Sequence, residues 1–316
     1  MSAALNLADP EPACPWTVRD LVCGFDRPVG GGWLEARGRL VGPSEGPATI
    51  VLGGISAGRR LCPDESGPGW WPGVAGSGGA LDPASRRLLS VDFLGEEAGP
   101  YPTIADQAEA VLALADTAGL ERFSLVGASY GGVIALQVAG RAPDRVRKVD
   151  VLCAAARPNP MTTAWRSIQR ETVRLALEAG CGERGVDLAR RLAMTTYRTA
   201  EEFTSRFTDP VPGCRDAEGV EAYLAARGAE YAGSTSPERF LALSESMDCA
   251  DVAVERIVAP VRFAAFDSDQ LVWLADIQAT AGRIGSASVT VIETLYGHDG
   301  FLKEAGKVNA FLAGRS

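Results

Sequence analysis

Short, almost unbroken apolar runs alternate along the chain with stretches whose apolar residues return every three to four positions. The runs "TIVLGG" (49–54), "RLLSVDF" (87–93), "RFSLVG" (122–127), "KVDVLCA" (148–154), "VRFAAFD" (261–267) and "SVTVIE" (288–293) are short, apolar and partly β-branched, and read as strands. Strands that are apolar on both faces belong in a sheet covered on both sides, hence a mostly parallel one. Helical periodicity falls over 104–118, 132–142, 271–284 and 301–313, between or after those strands. This alternation predicts a doubly wound α/β fold, a mostly parallel central sheet flanked by helices. Two earlier segments, 18–24 and 33–42, are expected to form an antiparallel edge.

The rhythm stops after residue 157. Up to residue 251 the chain offers helical patterns only, over 162–179, 185–194, 200–207, 218–231 and 237–247. We therefore expect residues 1–157 and 251–316 to build one core and 158–250 to form a helical lid inserted into it. A glycine-rich tract, 67–79, carries Trp70 and Trp71 in the loop after the 49–54 strand. A loop that long inside a compact domain is usually functional or disordered.

Candidate chemistry starts at "LVGASYGG", where Gly127-Ala128-Ser129-Tyr130-Gly131 spells G-x-S-x-G. It follows a predicted strand and precedes a predicted helix, the setting a nucleophile elbow requires. A serine hydroxyl is a poor nucleophile until a base takes its proton, and histidine is the usual base near neutral pH. The chain has a single histidine, His298, between the last predicted strand and the last predicted helix. The acid that orients such a histidine should lie between serine and histidine in the sequence. "FDSDQLV" supplies Asp267 and Asp269. Asp267 is expected to end the strand, while Asp269 lies in the loop beyond it and is favoured. An oxyanion needs two N–H donors. These are expected from Tyr130, directly after the serine, and from Ile55, in the loop after "TIVLGG".

Composition narrows the partners. The formal net charge is −9, with no basic cluster to track a phosphate backbone, so nucleic acid is not expected as a partner. Seven cysteines, at 14, 23, 62, 153, 181, 214 and 249, form no CxxC pair. With one histidine beside them they make a zinc site improbable and suit a reducing compartment. The N-terminal "MSAALNLADPEPACPW" lacks the basic and apolar regions of a secretory signal, and no apolar run is long enough for a membrane span. These features together suggest a cytoplasmic protein, with no metal and no membrane partner.

Several stretches resemble the homoserine O-acyltransferase family of the α/β-hydrolase superfamily. They are "PGWWPGVAGSGGALDP" (68–83), "AWRSIQRETVRLAL" (164–177), "ARRLAMTTYRTAEEF" (189–203), "LSESMDCADV" (243–252), "DSDQL" and "YGHDGFL". The resemblance covers most of residues 48–304 and supports Asp269 as the acid. It implies an α/β-hydrolase fold with a lid, a homodimer, and acetyl or succinyl transfer from acyl-CoA to the hydroxyl of homoserine or serine. No cofactor is implied, because acyl-CoA is a substrate. It further implies that Arg198 contacts the acceptor's carboxylate and Asp299 its amino group. The chain departs from the family at "FLGEEAGP" (93–100) and "AGSTSPERF" (232–240), and carries tyrosine at 130 where many members have methionine. These departures leave the acyl group and the acceptor open, and an esterase or thioesterase stands as the alternative activity.

Overall fold

The structure, a computed structural model, describes residues 16–28, 30–207 and 219–315. Cys14, Cys214, Glu218 and nearly all of the N-terminal segment read for a targeting signal lie outside these residues. Eight strands form one sheet: β1 (Val18–Asp26), β2 (Trp33–Val41), β3 (Ala48–Leu52), β4 (Arg87–Val91), β5 (Phe123–Ala128), β6 (Val146–Leu152), β7 (Val261–Phe266) and β8 (Ala287–Ile292). Their spatial order is β1-β2-β4-β3-β5-β6-β7-β8. The first two pairings, β1 with β2 and β2 with β4, are antiparallel, and every later pairing is parallel. The expected antiparallel edge is thus present, attached to a parallel body.

The pleat explains why these strands read as continuous apolar runs. Ile50, Leu52, Leu89, Leu125, Val149, Val151, Phe263 and Ala265 point into one core. Their neighbours Val51, Leu88, Val126, Leu152, Ala264 and Phe266 point into a second core on the other face. Side chains alternate across a strand, so a strand buried twice must be apolar at every position. The first core is closed by helices α1 (Ile104–Thr117) and α2 (Tyr130–Arg141) and by Ile277 of α8 (Leu274–Ala281). The second is closed by Trp71, Val74 and Leu81 of the glycine-rich loop, by Phe301, and by Val308 and Phe311 near the C-terminus.

Among the described residues, five helices run between β6 and β7: α3 (Pro160–Glu178), α4 (Gly182–Tyr197), α5 (Ala200–Arg206), α6 (Val220–Ala232) and α7 (Pro237–Asp248). Among the described residues no strand interrupts them. They hold a small core of their own around Val173, Val186, Ala189 and Phe240. Three of them start on side-chain caps, from Asn159, Thr199 and Ser236, each accepting a backbone N–H of its first turn.

Two predicted helices differ from those observed. The helix expected over 271–284 starts only at Leu274, because the carboxylate of Asp269 accepts the N–H groups of Leu271 and Val272 and holds that stretch in a turn. The helix expected over 301–313 is two pieces, α9 (Gly300–Lys303) and α10 (Ala305–Leu312). It breaks at Glu304 (ψ 50°), whose side chain accepts from Thr294 Oγ1 at 3.0 Å. No helix among the described residues is long and apolar enough to cross a membrane.

Candidate active site

Ser129 sits between β5 and α2 with φ 53° and ψ −121°. A non-glycine residue at positive φ stores backbone strain, which surrounding packing must hold in place. Here the packing is backbone on backbone. A Cβ on Gly131 would come within 2.3 Å of the Leu52 carbonyl oxygen, and one on Gly127 within 2.5 Å of the Gly131 oxygen. Gly131 N–H also donates to the Gly53 carbonyl at 2.9 Å, pinning the elbow to the end of β3. Gly131→Ala should therefore force the tip of β3 away from α2. We expect it to destabilise the protein by about 1–3 kcal/mol in a denaturant melt, the range of overpacked cores. A wild-type midpoint would show the contact to be slack.

The side chain of Tyr130 leaves the site and anchors it from beneath. It is fully buried, packs edge-on against Phe93 at 5.0 Å between ring centroids, and shares hydrogen bonds with Gln107 (3.1 Å) and Ser246 (2.7 Å). Burial pushes its phenol up to about 12, and the two hydrogen bonds only partly oppose this. Its backbone N–H opens α2, where the helix itself has no acceptor for it. Ile55 follows the Gly53–Gly54 end of β3, and both Ile55 and Tyr130 line one cavity with Ser129 and His298.

His298 lies in a single 3-10 turn after β8. Its Nε2 is 2.8 Å from Ser129 Oγ, and its Nδ1 is 2.8 Å from Asp269 Oδ2. The Asp269 side chain has no exposed surface, and its other oxygen is held by the Leu271 and Val272 N–H groups. Asp267 is exposed and accepts from the Thr294 N–H instead. Three of the predicted residues thus form one hydrogen-bonded row, Ser129–His298–Asp269. Burial pushes the His298 imidazole toward its neutral form. The charge and hydrogen bond of Asp269, helped by Asp299, outweigh burial and leave its pKa above the ordinary histidine value. Such a row can take a proton from the serine hydroxyl and stabilise the imidazolium that results.

Cys153 is buried behind this row and also has a positive φ, 43°. Its sulfur and the ligand atoms of Asp269 and His298 lie within 4.8 Å of one another. Burial, reinforced by Asp269, holds the thiol well above its usual pKa. A thiolate is what a metal would need. Asp269 and His298 are bonded to each other, so this trio is poorly suited to a metal ion.

The cavity above Ser129 has a volume of about 250 Å3 and is walled jointly by the inserted helices and by loops of the core. Asp299 lines it, but Arg198 does not. The Arg198 guanidinium is buried and committed, with Nε 2.6 Å from Asp299 and Nη1 2.9 Å from Glu202. The pair expected to grip an acceptor from both ends is therefore bonded to itself, and Arg198 stands behind Asp299. Another arginine, which sequence reasoning passed over, faces the cavity. Arg190 lies with its guanidinium carbon 5.3 Å from the Tyr197 ring centroid and 4.7 Å from that of Tyr231, and its Nε is buried with no hydrogen-bond partner. It stands seven residues before Tyr197, two helical turns along α4, so both fall on one face. That spacing was the available signal.

Comparison with known proteins follows the same lines. A family model described as the alpha/beta hydrolase fold matches residues 70–203. The chain is 41% identical to a homoserine O-succinyltransferase of Xanthomonas campestris pv. campestris, covering 88% of this chain and 78% of the relative. It is 30% identical to a homoserine O-acetyltransferase of Clavibacter michiganensis subsp. michiganensis, over 90% of each. Among solved structures, a homoserine O-acetyltransferase from Staphylococcus aureus superposes with a TM-score of 0.80 at 22% identity, covering 94% of this chain and 95% of that one.

Proposed function

The chain belongs to the homoserine O-acyltransferase family and carries the α/β-hydrolase fold, and from that premise we propose that it moves an acetyl or succinyl group from acyl-CoA to the side-chain hydroxyl of homoserine or a close analogue. The observation that carries the chemistry is the hydrogen-bonded row Ser129–His298–Asp269 on the floor of a cavity.

The reaction runs in two halves. Ser129 Oγ attacks the thioester carbonyl while His298 Nε2 takes its proton. The developing oxyanion is held by the backbone N–H groups of Tyr130 and Ile55. The carbon–sulfur bond breaks, His298 returns the proton to the departing thiolate, and an acyl ester remains on Ser129. After CoA leaves, His298 takes the proton of the acceptor hydroxyl, which attacks the ester, and the second tetrahedral adduct collapses by breaking the bond to Ser129 Oγ, to which His298 returns the proton.

A zwitterionic acceptor needs a fixed cation and a fixed anion. Arg190, a cation without an acid among the described residues, suits the carboxylate. Asp299 suits the amino group, with Arg198 holding it in place.

The test is release of CoA thiol by the purified protein, with acetyl-CoA and succinyl-CoA each offered alone, with homoserine and with serine. Transfer predicts release that depends on the amino acid. Release at the same rate without any acceptor would make the protein a thioesterase.

A further inference from the structure

One face of α7 walls the cavity, through Phe240, Leu243, Ser244 and Met247. Arg239 and Ser246, seven residues apart, share the adjoining face and reach the core. Ser246 has no exposed surface, and its hydroxyl lies 2.7 Å from the Tyr130 phenol oxygen. Gln107 Nε2 donates to that phenol at 3.1 Å, which leaves the phenol its own proton to give to Ser246 Oγ. Gln107 also clamps Leu94, accepting its N–H at 3.0 Å and donating to its carbonyl at 2.9 Å. Toward the rim, Arg239 Nη2 donates to the Phe93 carbonyl at 2.8 Å, and Ser236 Oγ to Glu96 at 2.9 Å. The three places at which the chain departs from its family, Tyr130, 93–100 and 232–240, come together here. Asp248, at the far end of the same helix, binds Arg166 and Arg170, so α3 is carried with α7.

The catalytic row does not need this phenol. An apolar ring would fill the same volume without the cost of burying a hydroxyl. A buried hydroxyl satisfied on both sides adds direction, because it fixes α7 in one register on the core. Tyr130 thus has its backbone at the elbow beside Ser129 and its side chain on the helix that walls the cavity. We propose that Tyr130 and Ser246 form a positioning pair that holds α7 closed over the acyl-serine, and so decides whether the acyl group passes to an amino-acid hydroxyl or to water. The inference rests on the reading of Ser129 as an acyl carrier. Both fates use one chemistry. His298 takes a proton from the attacking oxygen, that oxygen bonds to the acyl carbon, and Ser129 Oγ leaves and regains the proton. An amino-acid hydroxyl yields an ester, and water yields the free acid. Water outnumbers any amino acid, so transfer needs a cavity wall that stays shut.

The experiment is a partition measurement. The wild-type protein is first incubated with acetyl-CoA or succinyl-CoA without acceptor, and its intact mass is read. Acylation by either donor supports the carrier reading. Acylation by neither overturns that reading and this inference with it. The ratio of acylated homoserine to free acid is then measured at one homoserine concentration for Ser246→Ala, Tyr130→Phe and the double variant. We expect each single variant to lower the ratio about 5- to 30-fold, the range for a buried hydrogen-bond partner left unpaired. Acyl-enzyme formation by Ser246→Ala should stay within about threefold of wild type. The double variant should be no worse than Tyr130→Phe, because the two side chains act as one unit. Arg239→Met cuts the second tie at a partly exposed residue and decides the question if the buried variants do not fold. It should lower the ratio about 2- to 5-fold. An unchanged ratio in the variants that fold would overturn the inference and leave the transferase reading standing. So would equal losses in acylation and deacylation, which would make the pair a support of the core and nothing more.

Discussion

Ser129→Ala should lower acyl transfer by about 10^4-fold or more, with no acyl-enzyme visible by mass after mixing with acyl-CoA. The expectation follows from the site's geometry. Ser129 Oγ is the atom within 2.8 Å of His298 Nε2, and the strained turn that carries it is packed at two glycines too closely to accept a Cβ. Alanine keeps that backbone, so the variant should fold and bind substrates while lacking the nucleophile. Ser129→Gly makes a sharper control. It loses the same oxygen but relieves the positive φ, which is worth about 1–3 kcal/mol. It should therefore be as inactive as the alanine variant and melt at a higher temperature. A Ser129→Ala protein that still turned over at an undiminished rate would end the covalent scheme.

Asp269→Asn should lower kcat/KM by about 10^3- to 10^4-fold and move its pH profile at the same time. The two effects have one origin. Catalysis needs neutral His298, so activity rises with pH through the imidazole pKa. In the wild type that pKa lies above the ordinary histidine value. Burial acts to lower it, but the charge and hydrogen bond of Asp269, with Asp299, prevail. Asparagine removes the charge and leaves burial. The acidic limb should therefore move to lower pH even as the plateau falls. Loss of rate from misfolding alone would lower the plateau without moving the limb, and so would count against this role for Asp269.

What was legible in the sequence was what repeats or stands alone. Strands buried on both faces announce themselves as unbroken apolar runs, and the six so read lie within two residues of the observed ends. The row Ser129–His298–Asp269 was legible because a G-x-S-x-G between strand and helix is a rare setting, and because one histidine leaves no choice of base. The choice between Asp267 and Asp269 turned on a loop, and it is there that the structure adds something. Asp269 folds back because two backbone N–H groups hold its carboxylate, and this also delays the start of α8. Charge partners were not legible. The spacing of Arg190 and Tyr197 marks one face of α4, but that Arg198 turns to Asp299 and Glu202 is set by distant residues that no periodicity reports. The break at Glu304 was hidden for a similar reason, since a glutamate inside a helical pattern gives no sign that Thr294 will draw its side chain away.

The five-helix excursion between β6 and β7 has a consequence for how the protein comes into being. Ser129 lies before it, and Asp269 and His298 lie after it. Pairing β6 with β7 must close a loop of roughly a hundred residues, and such distant pairings form late. The excursion has its own small core around Val173 and Phe240, and local helical contacts form early. On the ribosome, the first six strands and their serine emerge well before the imidazole, which follows the inserted helices and two further strands. A nascent or C-terminally clipped chain therefore carries a serine without its base. Such a chain cannot form the row Ser129–His298–Asp269, so the site is assembled only after the inserted helices have been made.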